Sequence, residues 1–88
     1  MNIQYSPHFI SRYKKIVKKN KQLQNLIEEK IELFIADKNN PSLRLHKLEG
    51  NLRAYWSISI EQNLRIVFTY LDENVAFIDI GSHEEVYK

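Results

Sequence analysis

The stretch LRAYWSISIEQNLRIVFTYLDENVAFIDI, residues 52–80, decides the fold of this 88-residue chain. Apolar and polar residues alternate from Leu52 to Ile60, which is typical of a strand with one buried face. Leu64–Tyr70 and Val75–Ile80 are apolar at most positions and rich in β-branched residues, a composition that favours central strands. The polar triplets EQN and DEN separate the three segments and predict turns. These segments therefore predict consecutive antiparallel strands.

Two amphipathic helices precede this sheet. The Ser-Pro pair at residues 6–7 is a helix start signal, and the apolar residues after it recur on one helical face. A second helix is predicted over Gln22–Asp37, with a proline soon after it. Asn2–Tyr5 and Leu43–Leu48 are predicted as short strands. We therefore predict one α+β domain over residues 1–88 with the order β-α-α-β-β-β, its helix hairpin packed on one face of a small, mostly antiparallel sheet.

Composition narrows the function classes. The chain has no cysteine, which excludes disulfides, a thiolate nucleophile and a thiolate zinc site. No histidine and carboxylate spacing resembles a metal site, and no glycine-rich phosphate loop is present, so we expect neither a metal nor a cofactor. No apolar run approaches the ~20 residues of a membrane span, and the N-terminus lacks a signal-peptide core. We expect a cytoplasmic protein without a membrane partner.

Charge is distributed unevenly along the chain. Residues 1–53 hold 11 Lys/Arg and 5 Asp/Glu, a balance of +6, whereas residues 54–88 hold 2 and 6, a balance of −4. The first 26 residues contain six basic residues and no acidic one. This asymmetry is compatible with a local anionic partner, although a solvated helix face is the more common explanation of exposed lysines.

A few polar residues could carry chemistry. Arg65 interrupts an apolar strand, so it either pairs with a carboxylate or emerges on a functional face. The candidate carboxylates are Glu49, Glu61 and Asp79. His46 precedes a turn and His83 follows a glycine, and either histidine alone would more often be structural. Metal-free histidine, arginine, tyrosine and glutamate could together cleave RNA, with a base for the ribose 2′-hydroxyl, an acid for the leaving 5′-oxygen and a cation for the developing charge. Composition permits this reaction without establishing it.

The segment LHKLEGNLRAYWSISIEQNLRIVFTYLDENVAFIDIGSHEEVY resembles the C-terminal half of RelE/ParE superfamily toxins, particularly the YafQ-like and YoeB-like ribonuclease branches. The resemblance lies in the Leu-x-Gly of Leu48–Gly50, the pair Tyr55-Trp56, the LRIVF strand with Arg65, and the terminal GSHEEVY. The helix hairpin matches in pattern only. The resemblance implies the RelE-like fold and an mRNA interferase of a type II toxin–antitoxin system, which cuts mRNA in the ribosomal A site and is inhibited by a cognate antitoxin.

The resemblance also implies roles for individual residues. Arg65 would neutralise transition-state charge, His83 would be the general acid, and Tyr87 would orient RNA or stack on a base. His46 falls at the position of a general base, with Glu49 as a possible additional base. Basic side chains would hold the RNA backbone. These are Lys14, Lys15, Lys18, Lys19, Lys47 and Arg53. We expect the tail to lie beside Arg65 on the sheet face opposite the helices.

The sequence also departs from the family pattern. One branch has a histidine and an Asp-Trp pair around the third strand and its turn, where this chain has Ser59, Asn63 and Leu64. Many relatives carry a further arginine at the Ser59 position. Two alternatives therefore stay open: a ParE-like inhibitor of DNA gyrase, which would not need the histidine tail, and a non-catalytic, RNA-binding or degenerate toxin.

Overall fold

A computed structural model describes residues 1–87 as a five-stranded sheet with helices on both faces. The strands are β1 (Ile3–Tyr5), β2 (His46–Lys47), β3 (Trp56–Glu61), β4 (Leu64–Leu71) and β5 (Asn74–Gly81). The helices are α1 (Pro7–Val17), α2 (Lys21–Ala36) and α3 (His83–Val86), with single 3₁₀ turns at Pro41–Leu43 and Gly50–Leu52. The strand order is β1-β5-β4-β3-β2, with β1 parallel to β5 and all other pairs antiparallel. The predicted α+β class is confirmed.

Local capping starts the two long helices where the sequence predicts. The hydroxyl of Ser6 accepts the backbone N–H of Phe9 at 3.0 Å, and Pro7 occupies the first helical position, where no N–H is needed. The side chain of Asn20 caps α2 by accepting the N–H of Leu23 at 3.1 Å. Both bonds satisfy helix donors that have no intrahelical partner.

The helix hairpin buries an aromatic core against one face of the sheet. Phe34 of α2 lies edge-on to Phe68 of β4, with ring centroids 5.0 Å apart, and 5.9 Å from Phe77 of β5. Phe9 of α1 packs 5.5 Å from Phe77. Each of these rings is at most 3% exposed. Burial of such aromatic side chains dominates the stability of a small core.

A second, smaller cluster lies on the opposite face of the sheet. Val67 alternates with the core residues of β4 and packs with Leu48 and with Val86 of α3. Tyr87 and Tyr55 lie partly buried at its margin. The C-terminal segment therefore crosses to the face opposite the helix hairpin, as predicted.

Three details of the predicted pattern are wrong. The order β-α-α-β-β-β leaves out one of the five predicted strands, all of which form, and it leaves out α3. The strand predicted over Leu43–Leu48 is only two residues long, because Arg44 adopts a left-handed conformation with φ 48°. The strand predicted from Leu52 begins at Trp56, since a 3₁₀ turn opened by Gly50 at φ 65° occupies residues 50–52. Within residues 1–87 no helix is both long and apolar enough to cross a membrane.

Candidate functional site

Five of the candidate residues line one cleft on the face that carries α3, four of them candidates for catalysis and one for RNA binding. The cleft has a volume of about 410 Å³ and is bordered by His46, Glu49, His83 and Tyr87. Its remaining walls are Lys47, Leu48 and Leu52. Residues from β2, from the 3₁₀ turn and from α3 therefore meet although 37 positions separate the two histidines. Two imidazoles, a carboxylate and a phenol in one open cleft are suited to proton transfer.

The ring of His46 is oriented by a backbone contact. Its Nδ1 lies 3.0 Å from the carbonyl oxygen of Arg44, which can only accept, so Nδ1–H is the donor. In the neutral ring this leaves the lone pair on Nε2. His46 also faces Ser57 across the β2–β3 pair. A strand residue with a fixed tautomer and a free ring nitrogen has the geometry of a general base.

His83 and Tyr87 form a fixed pair on α3. Their rings are perpendicular, with centroids 4.4 Å apart and an interplanar angle of 84°. The Tyr87 hydroxyl donates to the Oγ of Ser57 at 2.6 Å. Ser57 is fully buried in β3, so this bond ties the end of the chain to the centre of the sheet. The sequence prediction treats residues 82–87 as a tail, whereas the structure gives them a helical geometry that orients both rings.

A reciprocal cap starts α3. The N–H of Ser82 donates to Glu85 Oε1 at 2.9 Å, and the N–H of Glu85 donates to the Ser82 hydroxyl at 3.3 Å. The hydrogen bonds from Ser82 hold the pKa of Glu85 below its ordinary value, and the guanidinium of Arg12 lowers it further. The ion pair between Arg12 and Glu85 measures 2.9 Å.

Arg65 lies two residues before Val67 in β4, so its side chain is on the same face of the sheet. Its neighbours in the sheet are Ser59 of β3 and Gly81 of β5, the residue that precedes the α3 cap. Its Nε is buried and has no hydrogen-bond partner within residues 1–87. A buried guanidinium nitrogen without a partner is costly.

The carboxylate partners considered for Arg65 do not pair with it in the described chain. Asp79 instead contacts Nε2 of His8 at 3.1 Å and Nε of Arg12 at 3.7 Å. Glu49 borders the cleft, and Glu61 is exposed at the end of β3. Arg65 therefore lies on the sheet face that carries the cleft without pairing with these carboxylates within residues 1–87, and it is not among the residues that border the cleft.

The predicted RNA-binding residues do not share one surface. Lys47 borders the cleft. Lys14 lies in a different groove, between α1, α2 and β1, and Lys15 lies beside Arg12 and Glu85. Lys18, Lys19 and Arg53 are exposed. Only part of the basic set is thus close to the histidines. Among residues 1–87 no group of three or more His, Cys, Asp or Glu side chains is arranged to hold a metal ion.

Two residues of the site escape sequence reasoning. Ser57 is one of several polar residues that alternate with apolar ones along the predicted strand, and no sequence signal marks it as buried or as the partner of Tyr87. Arg12 is the only arginine in a lysine-rich helix. Because a guanidinium can bind two acceptors at once, an arginine there is a weak indication of a bridging contact. Both contacts join residues 30 or more positions apart.

Comparison with protein families places this protein among the bacterial toxins of type II toxin–antitoxin systems. The family model described as "Bacterial toxin of type II toxin-antitoxin system, YafQ" matches residues 1–88. The chain belongs to this family.

Solved structures show the same fold. YafQ from E. coli strain BL21(DE3) superposes with a TM-score of 0.82 at 18% identity, over 99% of this chain and 98% of that one. The toxin in the E. coli DinJ–YafQ toxin–antitoxin complex gives 0.79 at 19%, over 99% and 97%. A chain of the heterotetrameric YoeB–YefM complex from Staphylococcus aureus gives 0.76 at 25%, over 94% and 97%. Among curated proteins, none matches the chain by sequence.

Proposed function

We propose that this toxin is a metal-independent endoribonuclease that cleaves mRNA on the ribosome. The observation that carries the proposal is the single cleft bordered by His46, Glu49, His83 and Tyr87. Arg65 adds an unpaired guanidinium nitrogen on the same sheet face. A gyrase inhibitor would have no need for two histidines in one cleft, so this arrangement favours the nuclease.

Proton transfer begins at His46. Its Nε2 takes the proton from the ribose 2′-hydroxyl, because the bond to the Arg44 carbonyl keeps the other ring proton on Nδ1. The 2′-oxygen then attacks the adjacent phosphorus. Glu49 borders the same cleft and is the second candidate for this base. A general base of this kind contributes typically 10²–10⁴-fold to a rate.

Residues of α3 and β4 assist the departure of the leaving group. His83 donates a proton to the 5′-oxygen as the P–O5′ bond breaks, which leaves a 2′,3′-cyclic phosphate on one fragment and a 5′-hydroxyl on the other. The guanidinium of Arg65 stabilises the charge that develops on the phosphoryl oxygens. Tyr87, held by Ser57, offers its ring to a base or to the ribose. Lys47 is near enough to the cleft to hold a flanking phosphate.

A cognate antitoxin is the proposed protein partner. The E. coli relative is seen with DinJ and the S. aureus relative with YefM, each in a toxin–antitoxin complex. The basic N-terminal half of this chain, with a balance of +6 over residues 1–53, would suit an acidic partner segment.

The test is induced expression of the wild type and of H83Q and R65Q, with growth recorded and transcript 5′ ends mapped in the same cultures. The proposal expects arrest with new cuts within translated codons in the wild type, and loss of both in the two variants. H8Q is the matched histidine control, since His8 is exposed and lies outside the cleft. Each variant must keep the far-UV circular dichroism spectrum of the wild type.

Two results would redirect the assignment. Arrest without new transcript ends, unaffected by H83Q, would support a gyrase-type or purely binding toxin. A wild type that neither arrests growth nor cleaves RNA would indicate a degenerate toxin, and Ser59 and Asn63 would be the first positions to restore to the family pattern.

A further inference from the structure

Arg12 leaves the basic face of α1 and contacts the junction between β5 and α3. Its Nε donates to the carbonyl oxygen of Ile80 at 3.1 Å, and a terminal nitrogen pairs with Glu85 Oε2 at 2.9 Å. The side chain is only 26% exposed, in contrast to the exposed lysines beside it. Asp79 lies 3.7 Å from the same Nε and adds a second carboxylate beside the guanidinium. Arg12 thus binds both the end of β5 and the first turn of α3.

The backbone at Gly81 is shaped for this contact. A Cβ atom built on Gly81 would lie 2.4 Å from Arg12 Nη2 and 3.0 Å from Glu85 Oε1. A side chain there would meet the ends of the Arg12 and Glu85 side chains, which would have to shift. The glycine at the end of β5 therefore leaves room for Arg12 to pass across the backbone, and its φ is not unusual.

Helix α3 cannot hold its own geometry. It has four residues, and isolated helices shorter than ~12–15 residues are marginal in water. Its attachment to the rest of the fold consists of the burial of Val86 against Val67, the bond from Tyr87 to Ser57, and the contacts of Arg12. The first two involve Val86 and the residue that follows it, whereas Arg12 contacts the Ile80 carbonyl and Glu85, on either side of the Ser82 cap that starts α3.

We infer that Arg12 is a positioning residue for the C-terminal pair His83 and Tyr87, acting through Glu85 and the Ile80 carbonyl. The inference rests on the proposed nuclease function for its catalytic consequence, while the anchoring itself is a structural statement that can be measured without activity. It assigns to one arginine of the basic helix a role different from RNA binding. Its loss lets the N-terminal end of α3 move, and an acid displaced by about 1 Å can cost on the order of 10²-fold in rate.

The test compares R12Q and R12K with the wild type, and K21Q serves as the control that removes one positive charge from the same basic segment. E85Q is a second variant that removes the ionic partner on α3 and leaves α1 untouched. Cleavage of RNA on programmed ribosomes gives kcat and KM for each protein. Long-range NOEs between Val86 and Val67 and the ring signals of Tyr87 report whether α3 stays docked.

We expect R12Q to lower kcat by about 10- to 100-fold with KM changed by less than about 3-fold, because a positioning residue acts on the transition state. The Val86–Val67 NOEs weaken in R12Q and E85Q and stay at wild-type strength in K21Q. R12K recovers part of the lost kcat, since a lysine can keep the charge beside Glu85 but cannot also bind the Ile80 carbonyl.

A rise in KM at unchanged kcat would overturn the inference and make Arg12 an RNA-binding residue. Unchanged NOEs in R12Q and E85Q would overturn it as well, whatever happens to the rate. If the wild type itself does not cleave RNA, the proposed function fails. The NOEs then still test whether Arg12 holds α3 in place: weakened NOEs in R12Q would support this role, and retained NOEs would refute it.

Discussion

The hydrogen bond between Tyr87 and Ser57 should be a measurable part of the stability of this fold. Its heavy-atom distance of 2.6 Å is at the short end for two hydroxyl groups, and Ser57 is fully buried. The perturbation is a double-mutant cycle of S57A, Y87F and the double variant. Both changes remove only a hydroxyl oxygen, so packing in the second cluster is retained.

The magnitude follows from what each single change leaves behind. Y87F leaves the buried Ser57 hydroxyl without its partner, and S57A does the same to the half-buried phenol. Leaving one polar group unsatisfied costs about 1–3 kcal/mol, whereas removing both partners together is nearly neutral beyond the bond itself. We expect each single variant to lose about 1–2 kcal/mol of unfolding free energy, and the double variant to lose about as much as one single variant, an interaction of about 1–2 kcal/mol.

Urea unfolding followed by tryptophan fluorescence measures these values, and thermal melts should show about 4–8 °C per kcal/mol for a domain of this size. Y55F is the matched control, because Tyr55 belongs to the same cluster and its hydroxyl makes no hydrogen bond within residues 1–87. Single-variant losses that simply add in the double variant would refute the reasoning, since additivity means that the two hydroxyls do not interact.

The remaining predictions concern the α3 cap and the cleft. The fold lowers the pKa of Glu85, so the ionised carboxylate stabilises the protein above its ordinary pKa of 4.5, and this stabilisation is lost as the pH falls below that value. In E85Q, the melting temperature should therefore fall less steeply with pH between about pH 6 and 3 than in the wild type. G81A should displace Arg12 and reproduce the NOE changes of R12Q, and unchanged NOEs would contradict the close approach. K47Q should weaken RNA binding and reduce the slope of log affinity against log salt by about 0.7, measured by fluorescence anisotropy with K21Q as control.

Local signals made the helices predictable from the sequence, and their absence explains the errors in the middle of the chain. Ser6, Pro7 and Asn20 act within three residues of themselves, so their effect can be inferred without knowing the fold. Residues 41–55 instead depend on positive φ at Arg44 and Gly50. A left-handed arginine has no sequence signature, and the alternation that begins at Leu52 is interrupted by a turn that periodicity alone does not reveal.

The residue types of the candidate site could be predicted from the sequence, but the contacts that orient these residues could not. His46, His83 and Tyr87 are uncommon polar residues in a small chain, and the family resemblance places them together. The contacts that orient them are long-range: Ser57 lies 30 positions from Tyr87, and Arg12 lies 68 positions from Ile80. Such pairs are specified by sheet register and by the path of the chain, which short motifs do not encode.

The residues of the proposed site are held with very different rigidity, and this difference has a consequence. Arg65 belongs to the central strand β4, paired on both sides, and His46 to an edge strand with one hydrogen-bonded neighbour. His83 belongs to a four-residue helix that depends on side chains from α1 and β3 for its place. Local opening concentrates where few buried contacts hold a segment, so α3 should exchange its amide hydrogens long before β4 does. Under the proposed mechanism, a ligand that buries α3 against the sheet would order His83 and raise activity, whereas one that separates Glu85 from Arg12 would lower it without contacting the reacting atoms. Hydrogen exchange of the α3 amides, measured with and without bound RNA, would show whether RNA orders or loosens α3. Equal protection of α3 and β4 in the free protein would contradict this account.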